Sequence, residues 1–325
     1  MTRSCSGTVT PLLLAVVFVS CSEQPTGLAR QIPGTSFDAV PAANDVLAGQ
    51  VLAFADALNP PDFQFDIRLV KENGKQQVQL TNQPFFNAHP TWSHDGQRIA
   101  FSPCRATDEN CQIYVMNADG SRQTNITNSP SFEFTPEWSP DDRKIAFISD
   151  RDGGNPHIYV MNADGSNPVR LTSGDAFDQQ PSWSPDGRKI TFETDRDGNN
   201  EIYVMNADGS SPINLTRNAA SDERPRWSPL GDKIVFDSDR DGEVEIYVMR
   251  TDGSGQTRLT NDPTSDFDYG AAWSPNANKI AFTRHRGQGF NYDIYVMNPN
   301  GSAQKQVTSA PGWEADPAWA RTVVK

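Results

Sequence analysis

Short apolar runs separated by polar, turn-forming clusters recur from Val51 to the end of the chain. Between Trp183 and Thr216, Ile190-Thr191-Phe192 and Ile202-Tyr203-Val204-Met205 are β-branched and aromatic, with apolar side chains on both alternating faces. That pattern suits short strands covered on both sides. Ser184-Pro185-Asp186-Gly187 and Asn206-Ala207-Asp208-Gly209 interrupt them. Pro at the second turn position, and an Asp followed by a Gly able to take positive φ, let each close a tight hairpin. The pattern predicts four antiparallel strands: A around the Trp, B around Ile190 to Phe192, C around Ile202 to Met205, and D ending in Leu215-Thr216.

The same unit recurs along the chain. Trp92, Trp138, Trp183, Trp227, Trp273 and Trp319 are spaced by 46, 45, 44, 46 and 46 residues. Met116, Met161, Met205, Met249 and Met297 each follow a Tyr by two positions. Four-stranded sheets repeating at this period are the signature of a β-propeller. The ends do not match by themselves: Val51–Phe54, Phe65–Val70 and Gln77–Thr81 read as B, C and D strands without a preceding Trp strand, and Trp319 has no B, C or D strand after it. The expected fold is therefore all-β, a six-bladed β-propeller of four-stranded antiparallel blades. Its ring closes by pairing the C-terminal strand with the N-terminal blade, which removes two free strand edges.

Charge narrows the function. Lys plus Arg total 28 against 41 Asp plus Glu, a net charge of -13, which argues against nucleic acid or an anionic lipid surface as the main partner and favours a basic one. The N-terminus changes the picture again. Arg3 precedes the apolar run Pro11–Val19, the length of a signal-peptide core and too short to span a bilayer. Val19-Ser20-Cys21 resembles a bacterial lipoprotein box, which makes Cys21 the lipidation site. The expected layout is a signal peptide over 1–20, a lipid-anchored flexible tether over 21–48 and the propeller over 49–325. An ordinary secretory signal is the alternative, and it would leave a soluble secreted protein.

The strings WSPDGRKITF, SDRDG and IYVMNADGS resemble the TolB-type propeller repeat, a WD40-like repeat, and the resemblance runs from about 49 to 320. TolB itself carries an α/β domain before its propeller, and only the tether stands at that place in this sequence. The resemblance implies a periplasmic or outer-membrane-anchored protein of the cell envelope used for protein-protein contact, including with a peptidoglycan-associated lipoprotein.

Strand order places the A–B and C–D turns on one face and the B–C and D–A loops on the other. Asp150-Arg151-Asp152-Gly153, Asp195-Arg196-Asp197-Gly198 and Asp239-Arg240-Asp241-Gly242 form three of the B–C loops. Five positions before the Trp residues stand Asn87, Glu133, Asp178, Asp222, Asp268 and Glu314. The five acids are expected to crown the channel mouth as a ring of like charge that attracts a basic partner, with Arg151, Arg196 and Arg240 as rim contacts. The competing expectation is that each carboxylate shapes its own loop.

Catalytic and metal chemistry find little support. Asp195-x-Asp197-Gly198-x-x-Glu201 lacks the third alternating acid and the later Glu of an EF-hand loop, so no metal is expected. The four His fall on separate loops or a turn, a GxSxG string is missing, and only six residues follow Trp319, too few for an appended hydrolase domain. No cofactor is expected. Cys104 and Cys111 bracket one B–C loop, and in an oxidising compartment they are expected to form a disulfide. The reading is a non-enzymatic, monomeric interaction module acting through the acidic B–C/D–A loop face. The alternative is a channel-site lyase or hydrolase acting on an envelope carbohydrate or peptide.

Overall fold

The structure, a computed structural model, describes residues 50–57, 64–83, 85–105, 110–261, 266–287, 291–309 and 312–321. The segments expected as signal peptide and tether, and Cys21 with them, lie outside the described residues. Within them the chain is a β-propeller without helix. The first strands are β1 (Val51–Ala57), β2 (Asp66–Lys71) and β3 (Val78–Gln79). Four groups of four follow. They are β4 (Phe86–Trp92), β5 (Arg98–Cys104), β6 (Tyr114–Asn117) and β7 (Thr124–Asn125), then β8 (Glu133–Trp138), β9 (Lys144–Ser149), β10 (His157–Asn162) and β11 (Val169–Arg170). Next come β12 (Asp178–Trp183), β13 (Lys189–Thr194), β14 (Glu201–Asn206) and β15 (Ile213–Asn214), then β16 (Asp222–Trp227), β17 (Lys233–Ser238), β18 (Glu245–Arg250) and β19 (Thr257–Arg258). The last are β20 (Phe267–Trp273), β21 (Ile280–His285), β22 (Tyr292–Met297), β23 (Lys305–Gln306) and β24 (Trp313–Trp319).

Each group from β4 to β19 is its own four-stranded antiparallel sheet. The remaining eight strands form one sheet, in which β20–β23 and the set β24-β1-β2-β3 touch through a single parallel pair, Tyr292 with Trp313. β24 lies antiparallel to β1, with Leu52 opposite Trp319 and Asp56 opposite Glu314.

B and C strands are buried along nearly their whole length, which explains why their apolar residues occupy both faces. The D strand is shorter than expected. Its ladder holds only two residues, Ile213 and Asn214, because the hydroxyl of Thr216 takes the next N–H, that of Ile202, at 3.0 Å. Thr81, Thr172, Thr260 and Thr308 do the same in their units. The C–D turn Gly presses on the preceding unit: a Cβ at Gly209, where φ is +86°, would lie 2.6 Å from the Leu171 carbonyl oxygen. The sequence signature NADG is thus both a turn and an inter-sheet contact.

Cys104 and Cys111 form a disulfide that closes the end of the β5–β6 hairpin. Seven positions separate them, and closing so short a loop is worth about 2.5 kcal/mol in the chain-entropy treatment. Replacing both by Ser is expected to lower stability by that amount or less, read as a shift in the urea midpoint. An unchanged midpoint would show that the bridge adds nothing to the fold.

Candidate functional site

The loop face is built from a repeated clamp. In the Asp-Arg-Asp-Gly loops the first Asp accepts the N–H of the residue six positions before the Trp: Asp195 from Phe177 at 2.8 Å, Asp150 from Phe132 at 2.9 Å and Asp239 from Ser221 at 2.8 Å. The second Asp accepts a Tyr hydroxyl, as Asp152, Asp197 and Asp241 do from Tyr159, Tyr203 and Tyr247. Between them the Arg lies over two rings. Arg196 stands 5.3 Å from the Phe192 centroid and 4.8 Å from that of Tyr203, and it donates to Asp178 at 2.9 Å. Arg240 holds Asp222 at 2.7 Å and Arg151 holds Glu133. Arg284 is placed two residues earlier than the loop arginines and grips Asp268 through Nε and Nη2 at 2.7 and 2.6 Å.

These contacts correct the expected ring of exposed like charge. Glu133, Asp178, Asp222, Asp268 and Glu314 are all buried. Four of them are neutralised by an arginine, and Asp178 also meets His157 of the preceding unit at 3.0 Å. A carboxylate at the start of an inner strand is turned between adjacent sheets, where an unpaired charge is costly; the chain supplies a cation instead of leaving a field for a partner. Glu314 is the variant case. It faces Asp56, whose partner is Arg68 at 2.5 Å. Burial pushes Glu314 up to about 8, with the Asp56 charge adding to it, and Asp56 up to about 6 against the pull of Arg68. Arg151, Arg196 and Arg240 keep about a fifth to a quarter of their side-chain surface exposed, at 22%, 24% and 22%. The oxygen donors weighed for calcium are likewise engaged: Asp197 by Tyr203 and Asn214, Glu201 by Thr216 and the Asn218 N–H. Among the described residues no group of three or more His, Cys, Asp or Glu is placed to hold a metal.

Counting six positions back from each Trp, one further than the acids, gives Phe86, Phe132, Phe177, Ser221, Phe267 and Trp313. All are half-buried on the loop face. This recurrence is written in the sequence one position before the acids. Trp313 stacks on Tyr292 with centroids 4.6 Å apart and donates Nε1–H to the Tyr269 hydroxyl at 3.1 Å. Phe86 packs on Phe65 at 4.4 Å.

The inner strands carry a second feature. Each shifts register just before its Trp, as between Gln179 and Ser182 in β12. In five of the strands the shift falls at Pro90, Pro136, Pro181, Pro225 and Pro317, which lack the N–H that a ladder needs. The residue before each Pro takes positive φ: His89 49°, Thr135 50°, Gln180 52°, Arg224 50° and Asp316 56°. Only β20 lacks the Pro, and there Gly270 adopts φ 67°. The bulge aims most of these side chains into a cavity of about 350 Å³ lined by all six inner strands. The cavity reaches Pro140, Pro185 and Pro229 of the A–B turns, so it opens on the hairpin face rather than the loop face. In it His89 Nδ1 meets Asp316 at 3.4 Å. His157 and His285 stand elsewhere, His157 on Asp178 and His285 stacked on Phe267.

Beside the cavity Arg224 bridges Glu223 at 3.0 Å and Asp237 at 3.2 Å and lies over the Tyr269 ring at 5.2 Å. Glu193 accepts the Arg224 N–H at 3.1 Å. Two carboxylates thus share the guanidinium and a third takes the backbone N–H of the same residue. Burial, reinforced by Glu223, pushes Glu193 up to about 8, and burial pushes Asp237 up to about 7 against the pull of Arg224. An acid whose folded pKa is raised stabilises the fold below its unfolded pKa and loses that contribution as pH rises through the folded value. His89 and His94 are half-buried, and loss of solvent lowers both, His94 to about 4, so they oppose folding once pH falls below about 6.5. The melting temperature is therefore expected to rise as pH is brought from about 8.5 to about 6.5 and to level off below. Glu193→Gln should flatten the slope; a slope of opposite sign in the parent protein would contradict the assignment.

The TolB beta propeller domain family matches residues 64–192 and 177–269. No curated protein matches the chain. Among solved structures, TolB from Acinetobacter baumannii is similar at 21% identity and TM-score 0.67, over 84% of this chain and 67% of that one. A putative TolB from Agrobacterium tumefaciens gives 20% and 0.67, over 84% and 98%. Oligogalacturonate lyase from Vibrio parahaemolyticus gives 14% and 0.51, over 81% and 74%. At these identities the likeness speaks to the fold alone.

Proposed function

Because this chain belongs to the TolB beta propeller domain family, we propose that it is a non-enzymatic protein-binding module of the bacterial cell envelope. In this reading it is a six-bladed ring, closed where β24 pairs with β1, monomeric and held to the membrane through lipid on Cys21. The partner, of the peptidoglycan-associated lipoprotein kind, docks on the B–C/D–A loop face. The observation that carries the reading is the recurrence of half-buried aromatics, Phe86, Phe132, Phe177, Phe267 and Trp313, at one position of the repeat on that face. Aromatic anchors framed by arginine are the composition of binding hot spots. Arg151, Arg196 and Arg240 supply the frame, and Glu133, Asp178, Asp222, Asp268 and Glu314 serve the face from beneath by holding its loops.

The test compares capture of envelope proteins by the parent and by Phe132→Ser with Phe177→Ser. The double variant is expected to unfold cooperatively yet lose the captured partner, since truncating a hot-spot aromatic costs about 2 kcal/mol or more. Undiminished capture would count against the loop face. The rival reading, a channel-site enzyme, rests on the His89–Asp316 pair in the cavity. Turnover of an envelope oligosaccharide or peptide, abolished by His89→Ala, would favour it.

A further inference from the structure

The cavity on the hairpin face carries a chemistry that the protein-binding reading does not use. Its charged lining is Arg224, Arg226 and Arg321 against Glu137 and Asp316. Arg224 is committed to Glu223 and Asp237. Arg226 and Arg321 are not committed: among the described residues neither has a carboxylate within the 4.0 Å that an ion pair requires. Arg226 makes only long contacts to neutral oxygens, to Pro181 O at 3.3 Å, Pro225 O at 3.4 Å and Gln180 Oε1 at 3.4 Å. Glu137, the acid that both arginines act upon, is held by the Thr91 hydroxyl at 3.0 Å, and burial works against its ionisation. A protein of net charge -13 has thus gathered guanidinium groups without a carboxylate partner in the wall of a cavity lined by Trp and Pro.

We propose that this cavity is a binding site for a small free ligand bearing an oxyanion, a carboxylate or a phosphate, with Arg226 and Arg321 as its counter-charges. A guanidinium without an anionic partner in a partly dehydrated site gains most from a planar or tetrahedral oxyanion that accepts two N–H bonds. The volume of about 350 Å³ is at the lower end of small-molecule sites, which suits a short carboxylate or phosphate ester with an apolar body. The site is independent of the loop face, so either can fail without the other.

Six Trp residues line the well, so intrinsic fluorescence reads occupancy directly. The probes are succinate, inorganic phosphate and, as the neutral isostere, succinamide, each titrated into the full chain. Saturable change with succinate or phosphate, and none with succinamide, is expected, and the better of the two anions tells which oxyanion the site prefers. Arg226→Gln and Arg321→Gln should each weaken that binding about tenfold or more, as loss of a charge-assisted bond does, while far-UV circular dichroism stays as in the parent. Two results would overturn the proposal. One is no saturable change with either anion up to about 10 mM, the weak limit of useful affinity. The other is equal binding of succinamide, which needs no variant to interpret.

Discussion

Replacing Trp319 by Ala is expected to destabilise the fold by about 3–5 kcal/mol, the range for truncating a buried aromatic. Trp319 is 5% exposed and packs with Leu52, Phe54, Val70, Ala281, Ile294, Val296 and Val307. Those residues come from both ends of the described chain, so this one indole joins the N-terminal strands to the β20–β23 group. Its Nε1–H also reaches the Ala272 carbonyl at 3.1 Å. Removing everything after Pro311 goes further. It strips β24 from β1, baring the edge from Leu52 to Ala57, and a bare apolar edge pairs with other chains. Such a truncated protein is expected to aggregate or to lose its cooperative urea transition. A melting temperature equal to that of the parent would refute the role of this strand.

The second large effect is expected at the clamp. Arg196→Ala leaves Asp178 buried without its guanidinium and removes the stack on Phe192 and Tyr203. Breaking a buried pair from one side costs about 3–5 kcal/mol, here toward the lower end because His157 remains 3.0 Å from the carboxylate. Replacing both partners, Arg196→Met with Asp178→Leu, should recover part of the loss, since no carboxylate is then stranded, while His157 gives up its contact with Asp178. A double-mutant cycle in urea measures the coupling. Single-variant losses that simply add would show that the pair is not a unit. The same logic turns round the effect of Asp178→Asn with Asp222→Asn: a ring of exposed like charge would be steadied by neutralisation, whereas these paired carboxylates should lose stability.

The fold was largely legible because each element is written several times. Trp183, the SPDG turn and the IYVM strand recur at one spacing, and period, turn chemistry and strand composition agree. The site was less legible, for two physical reasons. Recurrence of acids at one offset says that the position needs a carboxylate, but the same recurrence arises from an exposed ring and from a buried clamp. The deciding partner, Arg196 for Asp178, lies 18 residues away on a loop whose reach no pattern records. The cavity lining was hidden differently. His89, Gln180, Arg224 and Asp316 share a left-handed backbone but no chemistry, so only the Pro that follows each of them marked the bulge.

Site-specific photocrosslinking tests the central claim, that the loop face is the one a partner reads. A photoreactive phenylalanine analogue placed at Phe132, Phe177 or Trp313 keeps the aromatic character of each position, and the same analogue at Asp186 or Asp208 samples the hairpin turns opposite. In cells, covalent adducts to an envelope protein are expected from the first three positions and not from the last two. Adducts from Asp186 and Asp208 alone, or equally from both faces, would contradict it.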